Sequence, residues 1–308
     1  MLSCNSKQDV YTIQDLRHPS KDPDNIFLRE EKPARLAVIG NPISHSKSPQ
    51  LHQPALDTLG LNLTYIRVNL QEKDFEEGIS ILHDLGFIGC NVTVPHKEKA
   101  LAWAPNKDSF AEQVGVANTI VFSEQKCYTT DPIGFKSAVK ETLSYNLDEG
   151  RIFVTGAGGG AGSAVSQFIA AHHISHLFLY NRTPEKLDNT YEKILKTSET
   201  DMTKVSLYGG SDYPDSNELE LLVNATSLGL KADDPSPIPR ELIRASHVVY
   251  DMTYGCENAL SKACQQVGAT YVDGLSMLRH QGAEAFKLWF PQETRSANLS
   301  EIMGLKKS

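Results

Sequence analysis

No stretch of this 308-residue sequence approaches the roughly 18 uninterrupted apolar residues that a membrane-spanning helix needs, and no basic segment with an apolar run behind it opens the chain. Neither a membrane span nor a signal peptide is expected, and a cytoplasmic protein is the natural reading. Positive charge is also short: 30 Lys and Arg against 38 Asp and Glu leave a net charge of −8. A broad nucleic-acid or anionic-membrane footprint needs clustered cations on one face and is therefore not expected. A small anionic ligand remains allowed, because it answers to a local site. The five cysteines, Cys4, Cys90, Cys127, Cys256 and Cys264, are scattered and include no C-x-x-C pair. That excludes a disulfide framework and offers no metal site, so reduced thiols are expected. Internal repeats are absent as well.

What is present is length for two domains, since hydrophobic cores stop growing at about 250–300 residues. Residues 1–34 are polar and Pro-containing, with a weak alternating piece at VYTI, and look like an extension. From Arg35 the pattern changes. RLAVIG, LTYIRVNL and FIGCNVTVP read as strands, and PQLHQPALDTLGL and DFEEGISILHDLG between them have helical spacing, the second closed by Gly86. RIFVTG, AGSAVSQFIAAHH and HLFLYNRT restart the alternation, and ELLVNAT, HVVYDMT and ATYVDG add further strands before a last helix, SMLRHQGAEAFKLWF. Strands alternating with helices imply parallel α/β sheets, which bind ligands at the C-terminal ends of their strands. TSETDMTKVSLYGGSDYPDSNE has the low hydrophobicity of an exposed excursion.

The loop Gly156-Ala157-Gly158-Gly159-Gly160-Ala161 fits the dinucleotide fingerprint in its G-x-G-x-x-A form, with a strand before it and a helix after. Gly156 permits the tight turn, Gly158 lets the backbone approach a pyrophosphate, and Ala161 allows close helix packing at an anion-facing helix N-terminus. The end of the next strand separates the cofactors. NAD sites place a carboxylate there for the ribose 2′-hydroxyl, whereas NADP needs a cation for the 2′-phosphate. This chain has Asn181-Arg182-Thr183-Pro184-Glu185-Lys186. Arg182 is suited to stack on adenine and fork onto a phosphate, Thr183 to donate a hydrogen bond, and Lys186 to add charge. The alternative is a solvated helix start capped by Thr183.

In the first half, Thr93 and Lys97 follow a strand in NVTVPHK, and Asn118 and Asp131 sit in the polar clusters VANTI and YTTD. Taken singly, such groups are more often turn or cap residues than ligands. A cation and a carboxylate meeting beside a nicotinamide would form a proton-transfer pair for a carbonyl or alcohol.

With GNPISHSKSPQLH at residues 40–52, then NVTVPHKE, GVANTIV, TTDPIG, GAGGGAGSA, NRTPEK, NATSLG, YDMTYG and DGLSMLRHQGAEAFKLW in that order, the chain resembles the shikimate dehydrogenase family from about Arg35 to Trp289. The resemblance implies an NADP-dependent oxidoreductase of the aromatic amino acid precursor pathway that reversibly reduces 3-dehydroshikimate to shikimate. It implies an α/β chain with a substrate-binding and catalytic domain over 35–131, a Rossmann-like NADP-binding domain over 132–270, and a C-terminal helical segment, 271–308, packing on the first. Residues 1–34 have no counterpart in the family's minimal form. A small-molecule substrate and a monomer or homodimer complete the picture.

By the same resemblance, Ser46 and Ser48 hold the substrate carboxylate with Tyr254 near it, and Thr93, Asn118 and Gln281 bond the ring hydroxyls. Lys97 and Asp131 match the catalytic pair. Gly156, Gly158, Gly159, Asn181, Arg182, Thr183 and Lys186 carry cofactor roles, with Thr226, Met252, Gly274 and Met277 near the nicotinamide end. The chain departs from the pattern at Thr129 and Pro132, which flank Thr130-Asp131, at Lys186 in place of arginine, in the YGCENA run, at Ser276 and at Arg279. These departures open two rivals. One is a quinate or mixed quinate/shikimate dehydrogenase, with NAD as its alternative cofactor; the other is a catalytically silent dinucleotide sensor, against which the retention of Lys97 and Asp131 speaks.

Overall fold

A computed structural model describes residues 10–19, 24–197 and 201–303. The chain divides into two compact units: Met1–Thr130 with Gly282–Ser308, and Asp131–Gln281.

In the first unit β1 (Tyr11–Thr12) and α1 (Ile13–Arg17) precede β2 (Ala34–Gly40), α2 (Ser48–Thr58), β3 (Thr64–Asn69), α3 (Phe75–Asp84), β4 (Gly89–Val92), α4 (Lys97–Trp103), β5 (Asn106–Lys107), α5 (Ser109–Val114), β6 (Thr119–Val121) and β7 (Lys126–Tyr128). The sheet order is β1-β3-β2-β4-β6-β7-β5. β1 to β4 run parallel, whereas β6 is antiparallel to both β4 and β7. The expectation of a parallel sheet is corrected for this part of the unit: β6 and β7 are three residues each, and a hairpin that short is not read as two strands from its sequence.

The segment before Arg35 is more than an extension where it is described. Tyr11 and Thr12 pair with Val68 and Asn69, and Ile13, Leu16 and Phe27 enter the same core as Ile39, Val68, Phe75 and Ile79. Arg17 forks onto Glu77, with Nε and Nη2 both 2.6 Å from the carboxylate, which ties α1 to α3. The expectation for residues 1–9 lies outside the described residues. Along β3 the pleat sends Ile66 and Val68 into this core and Tyr65 and Arg67 to the opposite face.

The second unit holds α6 (Asp131–Leu143), β8 (Arg151–Thr155), α7 (Gly160–Ala170), β9 (His176–Asn181), α8 (Leu187–Thr197), β10 (Val205–Gly209), β11 (Leu221–Asn224), β12 (Val248–Asp251), α9 (Ala259–Val267), β13 (Thr270–Val272) and α10 (Leu275–Trp289). Its six strands are all parallel in the order β10-β9-β8-β11-β12-β13. Numbered from β8, that is 3-2-1-4-5-6, the doubly wound Rossmann order, with its switch point between β8 and β11. Both faces are covered, so the strands alternate between two cores. Ile152, Val154, Leu177 and Leu179 enter one, and Phe153, Phe178 and Tyr180 the other. This two-sided burial is why these strands read as continuous apolar runs.

The exposed excursion contains an edge strand. Val205–Gly209 pairs residue by residue with β9, but only Val205 is buried, so its polar alternation reads as loop. The expectation for residues 198–200 lies outside the described residues. α10 differs from the sequence reading in where the chain returns to the first unit, at Gly282 inside the helix and not before it. Met277 belongs to the second unit's core, whereas Trp289 bonds to Ile120 of the first. A short α11 (Leu299–Ile302) follows. Among the described residues, no helix is long and apolar enough to cross a membrane.

Candidate active site

In the first unit the functional candidates collect where β2 and β4 end and β6, antiparallel, begins. Gly40 closes β2 against the loop after β4: a Cβ there would lie 2.5 Å from Thr93 Cγ2 and 2.9 Å from Ile43 Cδ1, so only glycine fits. The Asn41 N–H donates to the Val94 carbonyl (3.0 Å) and the Thr93 N–H to that of Ile39 (2.8 Å), which fixes Thr93 beside the end of β2. From there the chain turns through residues 43–47 into α2. Ser46 and Ser48 are buried at 6% and 4% exposure, their hydroxyls 3.1 Å apart. The pair is oriented further by the Ser48 N–H, which donates to Ser46 Oγ at 3.3 Å.

Lys97 is the first residue of α4 and half-buried, and its carbonyl accepts from the Ala117 N–H at 3.0 Å. That bond draws the segment leading into β6 alongside the start of α4. Next in the chain, Asn118 is held as part of a unit with Thr130. Asn118 Nδ2 donates to Thr130 Oγ1 (3.1 Å), and the Thr130 N–H donates back to Asn118 Oδ1 (2.8 Å). Ser46, Ser48, Thr93, Lys97 and Asn118 therefore stand on adjacent elements at one end of the sheet. Arg67, which sequence reasoning passed over, is there too: it is buried and donates through Nε to the Ser46 carbonyl. A cation inside the apolar run YIRVNL was the signal for it.

In the second unit Gly156 turns the chain off β8 with φ +80°, and a Cβ there would lie 2.7 Å from Thr226 Cγ2. Gly158 packs on the end of β9, where a Cβ would sit 2.6 Å from Lys186 Cβ and 3.1 Å from Asn181 Cγ. The glycine turn and the 181–186 segment thus form one surface. Gly159 precedes α7 without a capping side chain, which leaves the first-turn N–H groups without a side-chain cap. The close-packing glycine is Gly162 and not Ala161: a Cβ on Gly162 would run into the Gly156 carbonyl, whereas Ala161 is half-buried. The run of glycines hides this one-residue shift from a spacing argument.

Arg182, Thr183 and Lys186 are exposed, and β9 ends in Asn181, whose Nδ2 donates to the Thr183 carbonyl at 2.8 Å. Thr183 makes no capping bond to the turn that follows, so its hydroxyl does not serve as the cap.

A buried network that the motifs did not announce fixes the remaining loops. Asn224 ends β11 and Asp251 ends β12. Asn224 Nδ2 donates to Asp251 Oδ1 (2.8 Å), and Asn224 Oδ1 accepts from the N–H (2.9 Å) and hydroxyl (2.7 Å) of Thr226. Asp251 also accepts from Thr253, Asn258 and Tyr271. Met252 and Gly274 touch so closely that a Cβ on Gly274 would run into the Met252 carbonyl. Tyr254 is half-buried in the loop after β12.

Asp131 is buried at the start of α6, and Pro132 lies in that helix's first turn, where a missing N–H removes no helical bond. One turn on, Gly134 lets α10 approach: a Cβ there would lie 2.7 Å from Gln281 Cβ and 3.0 Å from the Met277 carbonyl. Gln281 and Met277 are therefore placed against the helix that Asp131 opens. Farther along the pair, Glu141 accepts from Ser276 Oγ (2.6 Å), from Arg279 and from His280 Nε2 (2.8 Å). Burial pushes the Glu141 carboxyl up, but these three donors more than reverse it and hold it down at about 2. Ser276 and Arg279, two of the departures from the family pattern, thereby acquire a common partner.

The strand order, the uncapped glycine turn and the cationic, carboxylate-free end of β9 define a dinucleotide-binding α/β protein. The profile of the shikimate dehydrogenase substrate binding domain matches residues 38–120. A shikimate dehydrogenase (NADP(+)) of Rubrobacter xylanophilus is 35% identical over 260 residues, covering 82% of this chain and 89% of the relative. The crystal structure of shikimate dehydrogenase from Aquifex aeolicus, 31% identical, superposes with a TM-score of 0.76 over 88% of this chain and 97% of that one. That of the Thermus thermophilus enzyme, in complex with NADP(H) and shikimate, is 30% identical with a TM-score of 0.72 over 88% and 98%. The chain belongs to the shikimate dehydrogenase family.

Proposed function

We propose that this protein is an NADP-dependent shikimate dehydrogenase that interconverts 3-dehydroshikimate and shikimate. The observation that carries the reading within the chain is the packing of Gly158 against Asn181 and Lys186, with Arg182 exposed beside them and no carboxylate at the end of β9. That surface fits an NADP phosphate end, because an NAD site would want an acceptor where Asn181 stands. Gly156, Gly158 and Gly159 would receive the pyrophosphate at the start of α7, Arg182, Thr183 and Lys186 the 2′-phosphate, and Thr226, Met252, Gly274 and Met277 the nicotinamide end. When bound, the cofactor supplies a hydride to the carbonyl carbon or accepts one from the alcohol.

Everything else falls to the protein's own side chains. Ser46 and Ser48 hold the substrate carboxylate with hydroxyl donors, with Tyr254 near it, and Thr93, Asn118 and Gln281 bond the ring hydroxyls. A site that pairs each hydroxyl rejects analogues lacking one. Lys97 stabilises the negative charge growing on the ketone oxygen and donates its proton there, and Asp131 orients the ammonium. In the reverse direction Lys97 receives that proton. The same reading takes a cytoplasmic enzyme, acting as a monomer or homodimer, in keeping with Cys90, Cys127, Cys256 and Cys264 as free thiols.

The test is the initial rate of oxidation of shikimate and of quinate, each with NADP and with NAD, followed by absorbance of the reduced nicotinamide. Shikimate with NADP is expected to dominate. Dominance by quinate or NAD replaces the specificity, and silence with all four pairs makes a dinucleotide-binding sensor the better account.

A further inference from the structure

Arg67 lies on β3 with only 9% of its surface exposed, on the face opposite the first unit's main core. Its Nε donates to the Ser46 carbonyl at 2.8 Å, and its Nη2 to Gln50 Oε1 at 2.9 Å. Both acceptors are neutral. Among the described residues no carboxylate lies within ion-pairing distance of Arg67, although every other arginine or lysine this deeply buried has one: Arg279 pairs with Glu141. Burying a charge without a counter-charge is costly. A fold that keeps one directly behind a loop gains only if an anion arrives on the loop's other side.

The loop in question carries Ser46 and Ser48, whose two hydroxyls are neutral donors, and it leads into the 11-residue helix α2, whose N-cap position, Lys47, makes no side-chain capping bond. Two hydroxyls alone would hold an alcohol or a neutral ester carbonyl nearly as well as a carboxylate. We propose that Arg67 is a positioning and specificity residue for the acid group of the substrate: it fixes the Ser46 carbonyl and supplies, from behind the loop, the positive charge that the serines lack. This rests on the reading of Ser46 and Ser48 as the carboxylate site. A second effect of the same charge is visible on the loop itself, where burial and then Arg67 hold the His45 imidazole below its ordinary range.

The experiment compares shikimate with its methyl ester, which keeps the ring and hydroxyls and removes the charge, as oxidation substrates with NADP; if the ester is not oxidised, its inhibition constant is read against the KM of the acid. Wild type is expected to prefer the acid. Arg67→Gln keeps a donor for the Ser46 carbonyl and loses the charge. It is expected to lower the acid-over-ester preference by roughly 5- to 30-fold through the KM of the acid, with kcat within about twofold. Arg67→Lys, which keeps the charge, is expected to retain most of the preference. An unchanged ratio in folded Arg67→Gln overturns the proposal, as does a loss in Arg67→Lys equal to that in Arg67→Gln. Should Arg67→Gln fail to fold, Gln50→Glu neutralises Arg67 in place, and an undiminished ratio there overturns it equally. Failure of the underlying reading appears earlier, as a wild type with no preference for the acid, and removes the role of Arg67 with it.

Discussion

The indole Nε1 of Trp289 donates to the carbonyl of Ile120 at 3.0 Å, joining residues 169 apart in sequence. Gly89 lies under that bond, and a Cβ on it would overlap both the indole nitrogen and the Ile120 carbonyl. Gly89→Ala is therefore expected to destabilise the first unit by about 3 kcal/mol or more through overpacking. Trp289→Phe, which loses the donor and little volume, should cost about 1–2 kcal/mol. Urea midpoints with unchanged m-values check both, and equal midpoints for wild type and Gly89→Ala would contradict the packing described.

Glu141 binds α6 to α10 through Ser276, Arg279 and His280, and its carboxyl is held at about 2 against an ordinary 4.5. A depressed folded-state pKa contributes stability that is fully present above the unfolded value and is lost as pH falls through the folded one. Between pH 5 and pH 2 the wild type should thus lose an increment of stability that Glu141→Gln does not. Tm measured across that window should show a shallower acid limb in the variant, while parallel limbs would contradict the assignment.

The sequence made most of the second sheet legible because its strands are buried on both faces, so Phe153, Leu179 and Val223 sit in unbroken apolar runs. Strands that lack that burial went unread. β10 presents Ser206, Leu207 and Tyr208 partly to solvent, and β1 is two residues long. At the candidate site, motif spacing gave exposed groups such as Arg182 and Thr183. It gave nothing of the bond between Asn224 and Asp251, 27 residues apart, or of Glu141, whose partner Ser276 lies 135 residues away. Such pairings are set by the fold, and no local pattern marks them.

His52 is buried completely in a stack with Tyr65 (centroids 4.5 Å apart) and Phe286 (6.0 Å). Burial drives its pKa down from 6.5 to about 3; the Asn91 amide opposes this too little to reverse it. Neither ring nitrogen completes a well-formed hydrogen bond among the described residues. The unfolded chain binds a proton below about pH 6.5 and the folded one does not, so stability is lost as pH falls from there toward 3. His52→Phe keeps the stack and abolishes this loss, which is on the order of 5 kcal/mol at its full extent. Denaturant midpoints at pH 7.5 and pH 4.5 should converge in the variant; an equal gap in both proteins would show that another group titrates.

Lys97→Ala removes the proposed proton donor and leaves the glycine turn untouched. Turnover of shikimate should fall by roughly 10²- to 10⁴-fold, the usual worth of a positioned acid or base, while NADPH affinity stays near that of wild type. Stopped-flow single turnovers and a fluorescence titration of NADPH separate the two. Near-normal turnover would remove Lys97 from the chemistry.

On the proposed reading, Arg182 and Asn181 divide the work of choosing the cofactor. Arg182 is exposed and is proposed to meet a 2′-phosphate that NAD lacks, so Arg182→Ala should raise the KM for NADP by roughly 10- to 100-fold, the value of a charged hydrogen-bonded contact, and leave that for NAD nearly unchanged. Asn181→Asp acts in the opposite sense. A carboxylate at the end of β9 accepts from a ribose 2′-hydroxyl and repels a phosphate, although it forfeits the bond that Asn181 Nδ2 donates to the Thr183 carbonyl at 2.8 Å. The double variant should therefore use NAD better than NADP, with kcat for shikimate retained because neither side chain is among those proposed to hold the substrate. Steady-state kinetics with both cofactors decide this, and an Arg182→Ala enzyme whose KM rises equally for NADP and NAD would assign Arg182 to the adenine and not to the phosphate.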